Sequence, residues 1–490
     1  MIRPNDSRYS LRAPTNIASG LRRPVEPVRL RLRRVPRDDP MKEQHSDLTE
    51  GSIFRSVWVL AVPMVVGSVL QNFSSVADIF FVGKLGAEAV AAVSIGGIVL
   101  DVLWTFISGT SMGFRALISR AIGARQYADA SHVAHQGIFL TLFVSLPLVA
   151  VGGLYAGPIT VLLGAEPSVV PLATVYFRII ILSASLYLLT HAISAVLHGA
   201  GEAKIPARAM LLVTFLTVTL EPILVFGWGP VPALGVRGAA LSLVLCYVCA
   251  SAYLLRVLFR GCRGVRLSLH GLRVDPIMLW KILRIGIPRS FQRSFRAFTA
   301  IAMIRIVAGF GTHTLAAYGI AMRILVVVLS PGWGLASVAA TLVGQNLGAG
   351  QPKRAERSAW TACMLYGAVV LCFAAVFLLF GDRVIGIFNG DPEVVRRGAR
   401  LLHLTSPFYL FLAAAMVLGS ALGGSGDTVS PMVITAVSLA GVQIGAALFL
   451  PYVFNLQEDG LWLAISCGLV VWGGTMAGWF HVGRWKEKVL

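Results

Sequence analysis

Residues 60–86 read LAVPMVVGSVLQNFSSVADIFFVGKLG, a run long enough to cross a bilayer that nonetheless carries a carboxylate, Asp78, near its far end. A membrane-spanning helix needs about 20 mostly apolar residues, and an acid at its centre costs roughly 2.5 to 3.5 kcal/mol on insertion scales. Such an acid marks a site. Stepping back from Asp78 by four and seven residues gives Ser74 and Gln71, so the acid tops a polar stripe on one helix face. The stripe is expected to face protein or water, not lipid.

Outward from this stretch the chain has the same character. Of its 490 residues 56% are hydrophobic and 13% charged, with a mean hydropathy of +0.76, whereas a soluble domain carries about 25% charged residues. The composition is that of a polytopic, all-α membrane protein. A net charge of +19 would suit nucleic acid, but the basic residues fall in the N-terminal region and in short segments between apolar runs, as the positive-inside rule distributes them. No nucleic-acid partner is expected. The six cysteines form no CxxC pair, which argues against a metal site or a disulfide framework.

Residues 1–50 are rich in arginine and proline, without the apolar core of a signal peptide. They read as a basic, disordered cytoplasmic tail, and Met41 opens a more ordinary lead-in that could be the true start. Twelve apolar runs follow, with helices expected near 54–83, 89–114, 132–156, 170–197, 207–227, 235–259, 281–310, 314–340, 357–381, 398–422, 432–455 and 460–484. Most lysines and arginines fall on one side if both termini are cytoplasmic; the connection at 382–397 is the main departure.

Sliding the chain on itself by 225 residues aligns Pro63 with Pro288, Gly86 with Gly311, Gly123-Ala124 with Gly348-Ala349, Gly199 with Gly424, Pro206 with Pro431 and Gly235 with Gly460, with no gap. Two homologous halves follow: a first lobe over 51–259, a basic cytoplasmic linker over 260–280 and a second lobe over 281–490. An even number of helices per half inserts both halves in the same sense, so the expected fold is twelve transmembrane helices in two parallel-repeat six-helix lobes flanking a cleft.

Positions where the halves differ carry the chemistry. Asp78 corresponds to Met303, Asp101 to Val326 and Glu221 to Ala446, which confines the embedded acids to the first half. In the second half Arg296 replaces Gln71, and Arg289, Arg293 and Arg296 share one helix face. Asp78 lies fifteen residues beyond Pro63 and Glu221 fourteen beyond Ala207. At about 1.5 Å per residue both acids reach a similar outer depth, while Asp101 lies nearer mid-membrane. Pro222 removes a backbone donor next to Glu221. An ion pair of either acid with Arg178 would be the purely structural alternative. His191, His198 and His403 read as packing residues. Arg296, with no easy escape to an interface, is the expected cleft and gating residue and a cross-cleft partner for the first-half acids.

These residues resemble a family, the multidrug and toxic compound extrusion (MATE) transporters. The resemblance covers nearly the whole chain after about residue 50 and rests on VADIFFVGKLGAEAVAAVS, TLEPILVFG and LVGQNLGAGQPKRA. It implies two six-helix lobes, export of amphipathic, often cationic compounds in exchange for protons or sodium ions, and Asp78 as the coupling acid of the first lobe. Members with a first-lobe cation site usually have an asparagine and an aspartate in the fifth helix and a threonine in the sixth; the matching positions here are Thr217, Glu221 and Leu243, with Ser242 adjacent. Second-lobe acids of other members are replaced by Arg296 and Leu412.

The expected function is therefore a secondary active antiporter for amphipathic or cationic small molecules, coupled to protons through Asp78 and Glu221. Gln71, Ser74, Thr217, Ser242 and Asp101 are the coupling-site neighbours. A bound sodium ion needs a fixed cage of oxygens, and the amide and the helix-six threonine are missing; two neighbouring buried acids need only a shared proton. Sodium coupling, or a flippase for a lipid-linked saccharide drawn to the arginine face, is the alternative. No nucleophile-base set or HExxH-like motif suggests an enzyme. No cofactor beyond an ion gradient is expected, and the chain reads as a multi-pass, monomeric inner-membrane protein.

Overall fold

The computed structural model describes residues 48–268 and 273–488, and the statements below concern these. The expected tail lies outside them except for its last three residues. There Leu48 is buried, and the Arg354 guanidinium donates to the carbonyls of Leu48, Glu50 and Gly51. This end of the tail is part of the fold.

Twelve long helices follow in order, with a short helix, Ala156–Leu162, between the third and fourth: α1 Ile53–Gly83, α2 Ala87–Gly123, α3 Tyr127–Leu154, α4 (Val170–Leu182 and Ala184–Gly199), α5 Lys204–Phe226, α6 Val236–Arg260, α7 Pro276–Ala308, α8 Thr312–Gly348, α9 Pro352–Gly386, α10 Pro392–Ser425, α11 Val429–Val453 and α12 Glu458–Val482. The two pieces of α4 meet at 46°. Ten helices are long and apolar enough to cross a membrane, and the bent α4 makes eleven. The twelfth, α7, falls short because of its arginines, but its 33 residues reach about 50 Å at 1.5 Å per residue. Helices α2 and α8 run eight or nine residues past their expected ends. Arg115 and Arg120 look like a boundary in sequence, yet Ala116 and Ile118 between them are fully buried.

The 225-residue repeat is visible as geometry. A Cβ on Gly123 would meet the Gln345 carbonyl oxygen at 1.9 Å, and one on Gly348 would meet the Arg120 carbonyl oxygen at 2.0 Å. Residues 120 and 123 are the repeat partners of 345 and 348, so the ends of α2 and α8 cross backbone to backbone about a pseudo-twofold axis. Close approach of this kind demands glycine. A second duplicated feature closes each lobe on the same face. Glu202, after α4, pairs with Arg263, after α6, at 3.1 Å; their partners at 225, Asp427 and Lys488, pair at 2.9 Å.

The first helix of each half is shared between lobes. Val57, Leu60, Ala61 and Met64 of α1 belong to the hydrophobic core of the second half, while Ile282 and Ile285 of α7 belong to the core built from α2, α3 and α4. Pro63 and Pro288 stand where each helix passes from one lobe to the other. The linker is clipped to α3: Gln136 donates to the Arg273 carbonyl and accepts from the Asp275 N–H, and His132 pairs with Asp275 at 3.1 Å. Asp275 also caps α7 through the N–H groups of Ile277 and Met278. The Met278 bond, with the His132 contact, holds its carboxylate below the usual range.

The Asp427 pair gives a first prediction. Burial opposes the charged form, but hydrogen bonds from Lys488, Ser430 and Trp479 outweigh it and keep this carboxylate below its ordinary range. A depressed carboxylate adds stability above its unfolded pKa of about 3.9 and loses it as pH falls through the folded value. Asp427→Asn should cost about 1–3 kcal/mol at pH 7. Thermal unfolding in detergent should show that deficit shrinking below about pH 4.

Candidate coupling site and central cleft

The polar stripe of α1 faces protein along its length. The Gln71 amide donates to His191 Nε2 of α4 at 3.3 Å, and Ser74 Oγ donates to Thr214 Oγ1 of α5 at 2.7 Å. Thr214 also reaches the Leu70 carbonyl at 3.2 Å. Gly67 lies close to Ala207, with 3.7 Å from a built Cβ to its Cα. These contacts fasten the half of α1 beyond Pro63 to the first lobe and carry Asp78 toward Glu221.

The two acids come together as the shared depth suggested. The Asp78 and Glu221 carboxyl groups are within hydrogen-bonding reach of each other. Glu221 is fully buried. Among the described residues no hydrogen-bond donor reaches either Glu221 oxygen or Asp78 Oδ1. As two carboxylates they are acceptors face to face; one proton between them turns the contact into a hydrogen bond. Arg178 is exposed and pairs with neither acid, which removes the structural alternative.

Neighbouring helices complete this pocket with neutral groups. Thr217, one turn before Glu221, places its hydroxyl 3.6 Å from Cys246 Sγ of α6. Ser242, one turn before Cys246, is buried with no partner for its hydroxyl. Tyr176 and Tyr247 lie near enough to Asp78 to feel its charge, and Tyr247 meets Tyr187 edge to face at 5.1 Å. Tyr187 stands 4.5 Å from His191, which also meets Trp104 at 4.7 Å. Sequence reasoning set His191 aside and did not single out these aromatic residues. The available signal was Gln71 itself, an amide that needs a polar partner one helix away.

Asp101 lies apart from this pair. It reaches Arg293 Nη2 across the lobes at 3.5 Å, its side chain 80% exposed. Arg293 Nε donates to Thr105 Oγ1 at 3.2 Å, and its guanidinium lies over the Trp104 ring at 5.9 Å. Arg293, not Arg296, is therefore the cross-lobe partner of a first-half acid. Arg296 turns into the second lobe, its guanidinium 5.4 Å from the centre of the Trp472 ring. The turn follows from helix geometry, since three residues rotate the side chain about 60° short of a full turn.

Polar contacts between the lobes, among the described residues, run from the face that bears the termini up to Asp101–Arg293. Thr341 and Gln345 of α8 donate to the His198 and Gly199 carbonyls at the end of α4, at 2.9 and 3.0 Å. Arg115 reaches Ser337 at 3.1 Å, and Asn72 donates to Ser330. These contacts hold the lobes together on the side of the termini.

Comparison with known proteins agrees with this geometry. The MatE family model matches residues 63–223 and 288–449, two segments whose starts differ by 225. The chain is 25% identical over 447 residues to the "Probable multidrug resistance protein YoeA" of Bacillus subtilis, covering 90% of this chain and 96% of that protein. It is 27% identical over 433 residues to the "FAD transporter" of Shewanella oneidensis, covering 87% and 93%. A solved structure described as the "Outward-facing conformation of a multidrug resistance MATE family transporter of the MOP superfamily" superposes with a TM-score of 0.83 at 23% identity, covering 90% and 98%. With the family model matching both halves of the repeat, the chain belongs to the MATE family of multi-pass membrane transporters.

Proposed function

We propose that this protein is a secondary active antiporter that exports amphipathic small molecules in exchange for protons, with Asp78 and Glu221 as the shared proton site. The observation that carries this reading is the face-to-face pair of buried carboxyl groups with no base and no donor beside it. Two charges there would repel in a poorly hydrated lobe, and one proton relieves both burial and repulsion. Loss of the proton would draw water to the outer half of α1. That half is fastened to α5, while the half before Pro63 sits in the other core, so Pro63 is where a change at Asp78 would bend the helix.

The multidrug names of relatives supply the export direction and cargo breadth of this proposal; its plasma-membrane location and cytoplasmic termini rest on the distribution of lysine and arginine between the helices. Sodium coupling would require Thr217, Ser242 and free carbonyls to complete a cage, and the Thr217 hydroxyl is turned to Cys246. In proteoliposomes holding the full chain, an imposed pH gradient without sodium should drive cargo movement. A sodium gradient at constant pH should not, and cargo movement on sodium alone would replace the proton with sodium in this scheme.

A further inference from the structure

Four guanidinium groups collect where the lobes meet. Arg289, Arg293 and Arg296 follow at spacings of four and seven along α7, and Arg115 of α2 reaches across the same seam to Ser337 of α8. Their partners are mostly neutral. Arg289 donates to Gln292 and, at 3.4 Å, to Ser420; Arg115 donates to Ser337, and its Nε has no partner. Arg296 has Trp472 as its ring neighbour and no hydrogen bond or ion pair among the described residues. The single carboxylate paired with any of the four is Asp101, at the exposed edge.

Four buried or half-buried cations against one exposed carboxylate leave an excess of positive charge that neutral hydroxyls and amides do not cancel. Unpaired charge away from water is costly. Asp78 and Glu221 do not supply the balance, since they face each other in the first lobe. Arginine forks match carboxylate, phosphate and sulfonate oxygens in bidentate geometry. The face spans about 10 Å from Arg289 to Arg296 at 1.5 Å per residue. Trp104, half-buried beside Arg293, adds flat apolar surface, while Trp472 beside Arg296 is buried in the second core and holds that guanidinium in place.

We propose that the cleft binds an anionic amphipath, a molecule with a carboxylate, phosphate or sulfonate seated between Arg289, Arg293 and Arg296 and a flat apolar body against Trp104. The expectation of cationic cargo is thereby reversed in sign for this chain. The inference rests on the transporter reading, because it places cargo between the lobes, but it does not depend on which ion drives the cycle.

Equilibrium binding to the purified full chain in detergent tests it, with fluorescence anisotropy of carboxyfluorescein as the anionic probe and ethidium as the cationic one. Carboxyfluorescein should bind at least ten-fold tighter than ethidium. Arg296→Gln should weaken it at least ten-fold, and Arg296→Lys should restore part of the loss. Competition separates two sources of the same chemistry: displacement by dihexanoyl phosphatidylglycerol assigns the site to lipid headgroups, and displacement by naphthalene sulfonate alone assigns it to soluble organic anions. Preference of the wild type for ethidium overturns the proposal even if the variants fail to fold, as does an Arg296→Gln protein that binds carboxyfluorescein like wild type. Failure of pH-driven transport with carboxyfluorescein binding intact would sink the coupling scheme and leave this inference standing.

Discussion

Asp78→Asn should abolish pH-driven transport, by at least about 100-fold, while leaving a folded protein in the membrane. An amide at this position imitates the protonated acid, because its N–H can donate to Glu221, which has no donor in the present arrangement. The variant should therefore melt at or above the wild-type temperature in detergent even as it stops cycling, since the one step it cannot perform is release of the proton. Glu221→Gln should give the same pairing of lost transport and retained stability. Transport at half the wild-type rate in Asp78→Asn would show that this pair does not couple the gradient. A collapse in melting temperature alongside lost transport would instead mean that the acid is structural.

Gly123→Val is expected to have the second large effect, on the seal rather than on the ion. Any Cβ there lies 1.9 Å from the Gln345 carbonyl oxygen and 2.8 Å from its Cα, so α2 and α8 have to separate. Overpacking of this kind costs about 1–3 kcal/mol. The whole cost falls on the conformation sealed on the side of the termini, and the carbonyl bonds from Thr341 and Gln345 to α4 are lost with it. In a chain with its native cysteines replaced and a cysteine at Ser337, an impermeant maleimide added from the side of the termini should label at least ten-fold faster in Gly123→Val. Unchanged labelling would mean that the helix ends slide apart without opening the cleft.

Much of this fold is written in the sequence because the duplication is gap-free. Matched glycines and prolines at a spacing of 225 gave the halves, and the twelve apolar runs gave the number of helices and with it the relative sense of the halves. Helix rise put Asp78 and Glu221 at a similar depth, and the contacts of Ser74 and Leu70 with Thr214 bring their helices together. Helix ends were harder to read: Arg115 and Arg120 suggested a boundary because charge usually ends a span, whereas α2 carries them into a protein interface. The exchange of half-helices α1 and α7 between cores has no local signature, since an apolar face does not say which lobe it enters. Arg296 was misplaced for a related reason. Shared helical face does not fix direction to within the 60° that separates Arg296 from Arg293 about the axis of α7. His191 was legible only through its neighbour Gln71.

The paired clasps give the last residues of the described chain an unexpected rank. Lys488 stands to Asp427 as Arg263 stands to Glu202, so the segment after α12 is a second copy of the opening of the inter-lobe linker, not a spare end. It also offers the Lys488 carbonyl to Arg120 of the other half, at 2.7 Å. For anyone building a fluorescent fusion or purification handle, trimming back to the last helix would be equivalent to cutting the linker at Cys262. Added sequence belongs beyond Lys488, joined by a spacer that leaves its ammonium and carbonyl free.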